Sequence, residues 1–204
     1  MRRVLLGKVG RKEDALKAAW SEFIGYPGIY SYEDLMKYIP KKDFRKWHEK
    51  ALRQAQKGNL SGFIEICVKT KEVELLSRRI DSAQHEELEQ IGHYVTEKAA
   101  KAIAKKYPRT AAKIHRALGM RIIKSGKNKY YQYALEHFQK AKKLYEQSGQ
   151  RQKWSAIVGI VRKEHWRKYS FIGDFEAMAS GKEPKYPESF ESRARKRWKT
   201  QISG

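Results

Sequence analysis

The sequence predicts an all-α protein, a right-handed α-solenoid of about five antiparallel helix pairs followed by a basic C-terminal helix. Apolar residues recur at three-to-four spacing along nearly the whole chain. Only five prolines occur in 204 residues, and the rest is rich in Ala, Lys, Glu, Leu and Gln, which favour helix. Helical segments follow one another through short turns marked by Gly and Pro, and short connections make neighbouring helices antiparallel. Residues 1–180 form the helical-repeat domain, and 181–204 a linker and a basic amphipathic tail helix.

The opening MRRVLLGKVG reads as the tail of a helix that begins earlier. Its Val4, Leu5 and Leu6 would be covered by a second copy of the chain or by an upstream domain. A helix then runs from about Asp14 to Ile24 and stops at Gly25-Tyr26-Pro27-Gly28. Ser31 is placed as the N-cap of a short helix reaching Ile39, with Asp34 at the reciprocal position. From Asp43, Phe44, Trp47, Ala51, Leu52 and Ala55 mark a helix closing at Gly58-Asn59.

Phe63 to Val68 is a short apolar run compatible with strand or helix; with no second strand nearby to pair with, it is assigned as helix. Val73 to Ser82 continues as helix, Leu88 to Tyr94 forms one short segment, and Thr96 is placed as N-cap of a helix over Glu97–Tyr107. Pro108 suits a first helical turn.

Two long helices follow. Ala111, Ile114, His115, Leu118 and Ile122 mark one face of the first; Tyr131, Ala134, Leu135, Phe138, Ala141 and Tyr145 mark one face of the second. The third, after Ser148-Gly149, points Trp154, Ile157, Val158, Val161 and His165 inward, and Phe171 to Ala179 continues it. In the tail, Phe190, Ala194 and Trp198 share one stripe.

Leu118-Gly119, Ile122, Ala134, Phe138 and Ala141 resemble the tetratricopeptide pattern, in which small residues let paired helices approach and aromatic rings fill the space beside them. The elbow Lys127-Asn128-Lys129-Tyr130-Tyr131 lengthens the pair by about three residues relative to that pattern. The succession HYVTEKAAKAIAKKYP, RALGMRIIKSGKNKYYQYALEHFQKAKKLYEQSG and ESFESRARKRW is similar to the carboxyl-terminal helical-repeat region of uncharacterised bacterial proteins. Some of those carry a SWIM-type zinc finger ahead of the repeats. One cysteine cannot supply that finger here.

The net charge is +22, and residues 97–170 hold 20 Lys/Arg against 4 Asp/Glu. Such an excess is eased by an anionic partner. On the first long helix Arg109, Lys113, Arg116, Met120 and Lys124 lie opposite the apolar stripe. Lys140 and Lys143 lie on the second, and Arg162, Lys163, Arg167 and Lys168 on the third. Tyr130, Tyr131 and Tyr133 interleave with lysines at the elbow, a composition that suits single-stranded nucleic acid. The candidate anion or nucleic-acid contacts are therefore Arg116, Lys124, Lys127, Lys129, Tyr130, Lys140, Lys143 and Arg162. Arg193, Arg195, Lys196 and Arg197 are candidates in the tail, which either caps the last repeat or binds nucleic acid or an anionic membrane surface.

Catalytic signals are weak. His48, His85, His93, His115, His137 and His165 form no HExxH, and none combines with a cysteine at metal-site spacing. His115 and His165 read as hydrogen-bonded core histidines. Cys67 sits in an apolar helix as an inert thiol, and Glu86-Glu87-Leu88-Glu89 reads as a solvated first turn. Gly7-Lys8-Val9-Gly10 and Gly126-Lys127 lack phosphate-loop spacing. No catalytic residue, cofactor or metal is assigned. With no apolar run near the roughly 18 residues that span a bilayer and no signal peptide, a cytoplasmic location is expected. The first functional expectation is a non-enzymatic scaffold that binds a protein partner through a concave face; the alternative is nucleic-acid binding through residues 97–170.

Overall fold

A computed structural model describes residues 12–182. Within them the chain is all-α, with eleven packed α-helices, two short 3-10 turns and no strand. The readings made on MRRVLLGKVG and on the tail, including Arg193, Arg195, Lys196 and Arg197, lie outside the described residues.

The first helices are α1 (Lys12–Gly25), α2 (Ile29–Met36), α3 (Phe44–Gln56), α4 (Leu60–Thr70), α5 (Val73–Ser82) and α6 (His85–Gln90). Glu13 and Asp14 open α1, where carboxylates complement the helix dipole. Gly28, not Ser31, is the N-cap of α2. Ser31 lies one turn inside, where its Oγ accepts from the Gly28 N–H at 3.2 Å and donates to the Tyr26 carbonyl at 2.7 Å. It thus closes the turn from within rather than leading it.

The apolar run Phe63 to Val68 is helical within α4, which Asn59 caps by accepting from the Ser61 N–H at 2.7 Å. The segment assigned to Leu88–Tyr94 is broken instead, α6 ending at Gln90 and a new helix starting at His93 with Gly92 as its N-cap. Thr96 is buried in that helix's first turn, its hydroxyl bonded to the Gly92 and His93 carbonyls at 3.2 Å each. A threonine one turn into a helix can bond back to the preceding carbonyls, so the residue type alone does not fix the boundary.

The remaining helices are α7 (His93–Ile103), α8 (Pro108–Lys124), α9 (Tyr131–Gln147), α10 (Arg151–His165) and α11 (Tyr169–Ala179). Pro108 occupies the first turn of α8. Gly126 and Gly149 adopt φ +70 just past α8 and α9, the left-handed conformation that commonly ends a helix.

Helix α8 is buried on two sides. Ala111, Ile114, Ala117 and Leu118 join the amino-terminal core built from α1–α7. Ala112, Met120 and Ile123 join a second core with α9, α10 and α11. Met120, expected on the polar side, is therefore interior. The second core is aromatic: Phe138 stands 5.3 Å from Phe175 and 6.2 Å from Phe171, centroid to centroid. Its broadest contact runs between α8 and α9. Among the described residues no helix is long and apolar enough to cross a membrane.

Candidate nucleic-acid interface

The predicted contact residues fall in five places. Arg116 is buried, and its guanidinium donates to Glu89 at 3.1 Å, both side chains only 7% exposed. Lys124 reaches the other oxygen of the same carboxylate at 2.6 Å. Arg116 is thus an interior ion-pair residue, not a surface contact, because α8 presents that face to α6. Glu89, read from sequence as part of a solvated acidic turn, is the carboxylate that holds both cations.

Arg162 donates through Nε and a terminal nitrogen to the two oxygens of Glu176 on α11, each at 2.6 Å. Lys140 bears electrostatically on His115 and His137, whereas Lys143 lines a groove between α9 and α11.

Lys127, Lys129 and Tyr130 remain together, exposed on the elbow. Asn128–Tyr130 forms a 3-10 turn there, and Lys129 Nζ sits 4.9 Å from the centre of the Tyr130 ring. Tyr131 turns inward and packs edge-on against Phe171 at 5.3 Å. That contact sets the elbow beside the corner between α10 and α11, which carries Trp166, Arg167, Lys168 and Tyr169. Arg167 lies 4.8 Å over the Trp166 ring. Tyr130, Tyr133, Trp166 and Tyr169 are 40%, 46%, 53% and 78% exposed. Lys127, Lys129, Arg167 and Lys168 have no carboxylate partner among the described residues. This end of the bundle thus presents four open aromatic rings among four unneutralised cations.

The corner aromatics were not singled out from sequence. Their signal was present, since Trp166-Arg167-Lys168-Tyr169 repeats the cation–aromatic alternation of the elbow.

A second polar cluster lies within the bundle. The Nδ1 atoms of His115 and His137 are 3.2 Å apart and the rings stack. Burial, then the charge of Lys140, lowers His115 to about 4. Burial, then His115, Lys140 and His93, lowers His137 to about 3. Glu97 stands 3.5 Å from His137, but its carboxylate is largely solvated and its attraction is screened, so burial prevails and both rings stay neutral. A neutral pair lets one nitrogen donate and the other accept. His165 is buried as expected, yet its Nε2 has no hydrogen-bond partner. The Cys67 thiol is buried and pushed up to about 12, chiefly by burial. Among the described residues no group of three or more His, Cys, Asp or Glu is placed to hold a metal.

Over its described residues the chain is all-helical and places an open basic and aromatic surface at one end. Comparison with protein-family models, with curated proteins and with solved structures found no match.

Proposed function

We propose that this protein is a non-enzymatic helical scaffold that binds single-stranded nucleic acid, without base readout, on the surface formed by the elbow and the α10–α11 corner. The observation that carries this reading is the juxtaposition of Tyr130, Tyr133, Trp166 and Tyr169 with Lys127, Lys129, Arg167 and Lys168. Exposed rings give every base a stacking platform, and lysines and arginines beside them neutralise successive phosphates. An exposed cation–π contact contributes only about 0.5–1 kcal/mol, so a base can replace Lys129 over Tyr130 at small cost. The helix succession is read as a degenerate tetratricopeptide-like α-solenoid, a reading supported by the small-against-aromatic packing of Gly119 and Phe138.

The test is fluorescence anisotropy with 5′-hydroxyl single-stranded DNA and RNA at about 50 mM salt and above. Four phosphate contacts predict a slope of log affinity against log salt near about −3, from roughly −0.7 per contact on single strands. No binding at low salt, or a slope near zero, overturns the reading.

A second reading, a protein-binding scaffold, is supported by the groove between α9 and α11, about 420 Å³ in volume. Leu135 and Met178 line it with Lys143 and Lys182 and with Glu136 and Asp174. Mixed charge around apolar residues suits a peptide better than a polyanion. A partner captured with nuclease present, and lost on Leu135→Asp, supports it; a partner lost on nuclease treatment alone counts against it.

A further inference from the structure

A different cavity, of about 280 Å³, opens between the α5–α6 junction and helices α8, α9 and α10. Lys113, on α8, projects three hydrogen bonds into the end of α5 and the following turn, to the carbonyls of Ile80, Asp81 and Ala83 at 2.9, 2.8 and 2.6 Å. Arg116 is fixed by Glu89 with one of its five N–H donors. Arg109 and Lys153 reach the cavity wall from α8 and α10 and have no carboxylate partner among the described residues. Asp81, which accepts from the Thr110 hydroxyl at 3.0 Å, is the acid on the wall. Four cations face the one acid on the wall, Asp81, since Glu89 stands behind Arg116 and is shared with Lys124, so the cavity carries a positive excess. Tyr145 and His85 complete the polar side, and Ile157 and Ile160 supply an apolar one.

These groups bear on one another electrostatically. The Lys113 ammonium is shifted downward by burial and by the charges of Lys153, Arg109 and Arg116, against the opposing pull of Asp81. His85 is held neutral, first by burial and then by Arg116, Lys113 and Lys153, and its Nδ1 is buried without a hydrogen-bond partner. Burial keeps the Tyr145 hydroxyl protonated, and so able to donate. Like charges gathered at a cavity wall are relieved by a compact anion carrying a matching charge. A phosphate monoester carries about −1.5 to −2 at neutral pH and three strong acceptor oxygens. The volume lies just under the usual range of ligand pockets, enough for a phosphate and a sugar-sized group.

The geometry points to this cavity as a binding site for a phosphate monoester, with Arg109, Arg116 and Lys153 contacting the phosphate and Ile157 and Ile160 lining the space for the group it esterifies. It lies near the start of α8, whereas the elbow follows that helix's end. Arg109 and Lys124 are separated by about 22 Å at 1.5 Å per residue, so the two sites are distinct.

Isothermal titration of the full chain with inorganic phosphate, ribose 5-phosphate and adenosine monophosphate tests this, with ribose as the uncharged control. Saturable one-to-one binding is expected, weakened at least tenfold by Arg109→Ala or by Lys153→Ala and unchanged by Lys163→Ala. Arg109 and Lys153 are exposed, so both variants should fold, and an unchanged melting temperature confirms that. Equal affinity for all three phosphates identifies the free ion as the ligand; tighter binding of the two esters identifies a sugar or nucleotide phosphate. Absence of saturable binding, equal binding of ribose, or equal weakening by Lys163→Ala overturns the proposal. The oligonucleotide experiment uses ends without phosphate and a surface lacking Arg109 and Lys153, so either idea can fail without the other.

Discussion

The ring of Phe138 on α9 fills the space above Gly119 on α8: a Cβ at Gly119 would meet three ring carbons at 2.8 to 3.0 Å. The ring is fully buried and packed against Phe171 and Phe175, so it has no free volume into which to withdraw. Gly119→Ala gains about 1 kcal/mol of helix propensity but overpacks a closed site at about 1–3 kcal/mol. A net loss of about 1 kcal/mol is expected, lowering Tm by about 2–4 °C. In a Phe138→Leu background, where the ring is gone, the same substitution should be neutral or stabilising. A double-mutant cycle by urea unfolding checks this; additive effects would show that ring and glycine are not coupled.

That contact was legible in the sequence through the spacing of small and aromatic residues, Gly119 and Phe138 among them, that resembles the tetratricopeptide pattern. Arg116 and Met120 were misplaced for a different reason. Periodicity reveals one apolar stripe, and α8 buries two, against cores on either side of it. Local pattern holds no information on how many neighbours a helix has. Glu89 sits in a run of acids whose other members are more exposed, and only the approach of α8 to α6 selects it. The elbow was readable as a composition, whereas its union with the α10–α11 corner depends on the Tyr131–Phe171 contact, forty residues apart in the chain and invisible to any local window.

Gly62 on α4 meets a harder obstacle. A Cβ there would run into the carbonyl oxygen of Pro27, and backbone cannot rotate aside as a side chain can. Gly62→Ala should cost more than Gly119→Ala, about 2–3 kcal/mol at the upper end of overpacking losses, despite the same gain in propensity. Thermal unfolding of the two variants side by side tests the ranking; equal melting temperatures would refute the close approach of α4 to the turn before α2.

Glu89 bridges two cations of unequal exposure. Glu89→Ala leaves the Arg116 guanidinium charged and buried without its partner, for which a loss of about 3–5 kcal/mol is expected. Lys124→Ala removes a half-exposed partner and should cost about 1 kcal/mol or less. Replacing the inner pair together, Glu89→Leu with Arg116→Met, removes both buried charges and should recover most of the loss. Denaturant midpoints for the four proteins check the order, and a double variant as unstable as Glu89→Ala would contradict it.

The histidine pair makes stability depend on acid. Unfolded, each imidazole takes up a proton below about 6.5; folded, His115 does so near 4 and His137 near 3. Between those limits the unfolded chain binds more protons, so stability is complete above pH 6.5 and falls as the pH drops toward 4. The expected slope is of the order of 1 kcal/mol per pH unit for each ring. His115→Gln with His137→Gln should flatten the unfolding free energy over pH 4–6.5 relative to the parent. His85, also lowered to about 4, is present in both proteins and cancels in the difference. Parallel curves for parent and double variant would show that the pair is protonated in the fold.

At the elbow and corner, rings and charges should fail in different ways. Tyr130→Ala and Trp166→Ala remove stacking platforms and should each weaken single-stranded binding by about 1–3 kcal/mol while leaving its salt dependence unchanged. Lys127→Ala with Lys129→Ala removes two phosphate contacts and should reduce the salt slope by about 1.4, at roughly 0.7 per contact. Lys143→Ala, on the α9–α11 groove, should change neither quantity. Since Tyr131 anchors the elbow to Phe171, Tyr131→Leu should separate the two halves of the surface and lower affinity although no exposed group is lost. Anisotropy titrations across a salt series measure all of these. An equal loss per charge removed for the elbow lysines and Lys143, with no loss for the ring variants, would mean that binding follows total charge alone and that this surface is not its seat.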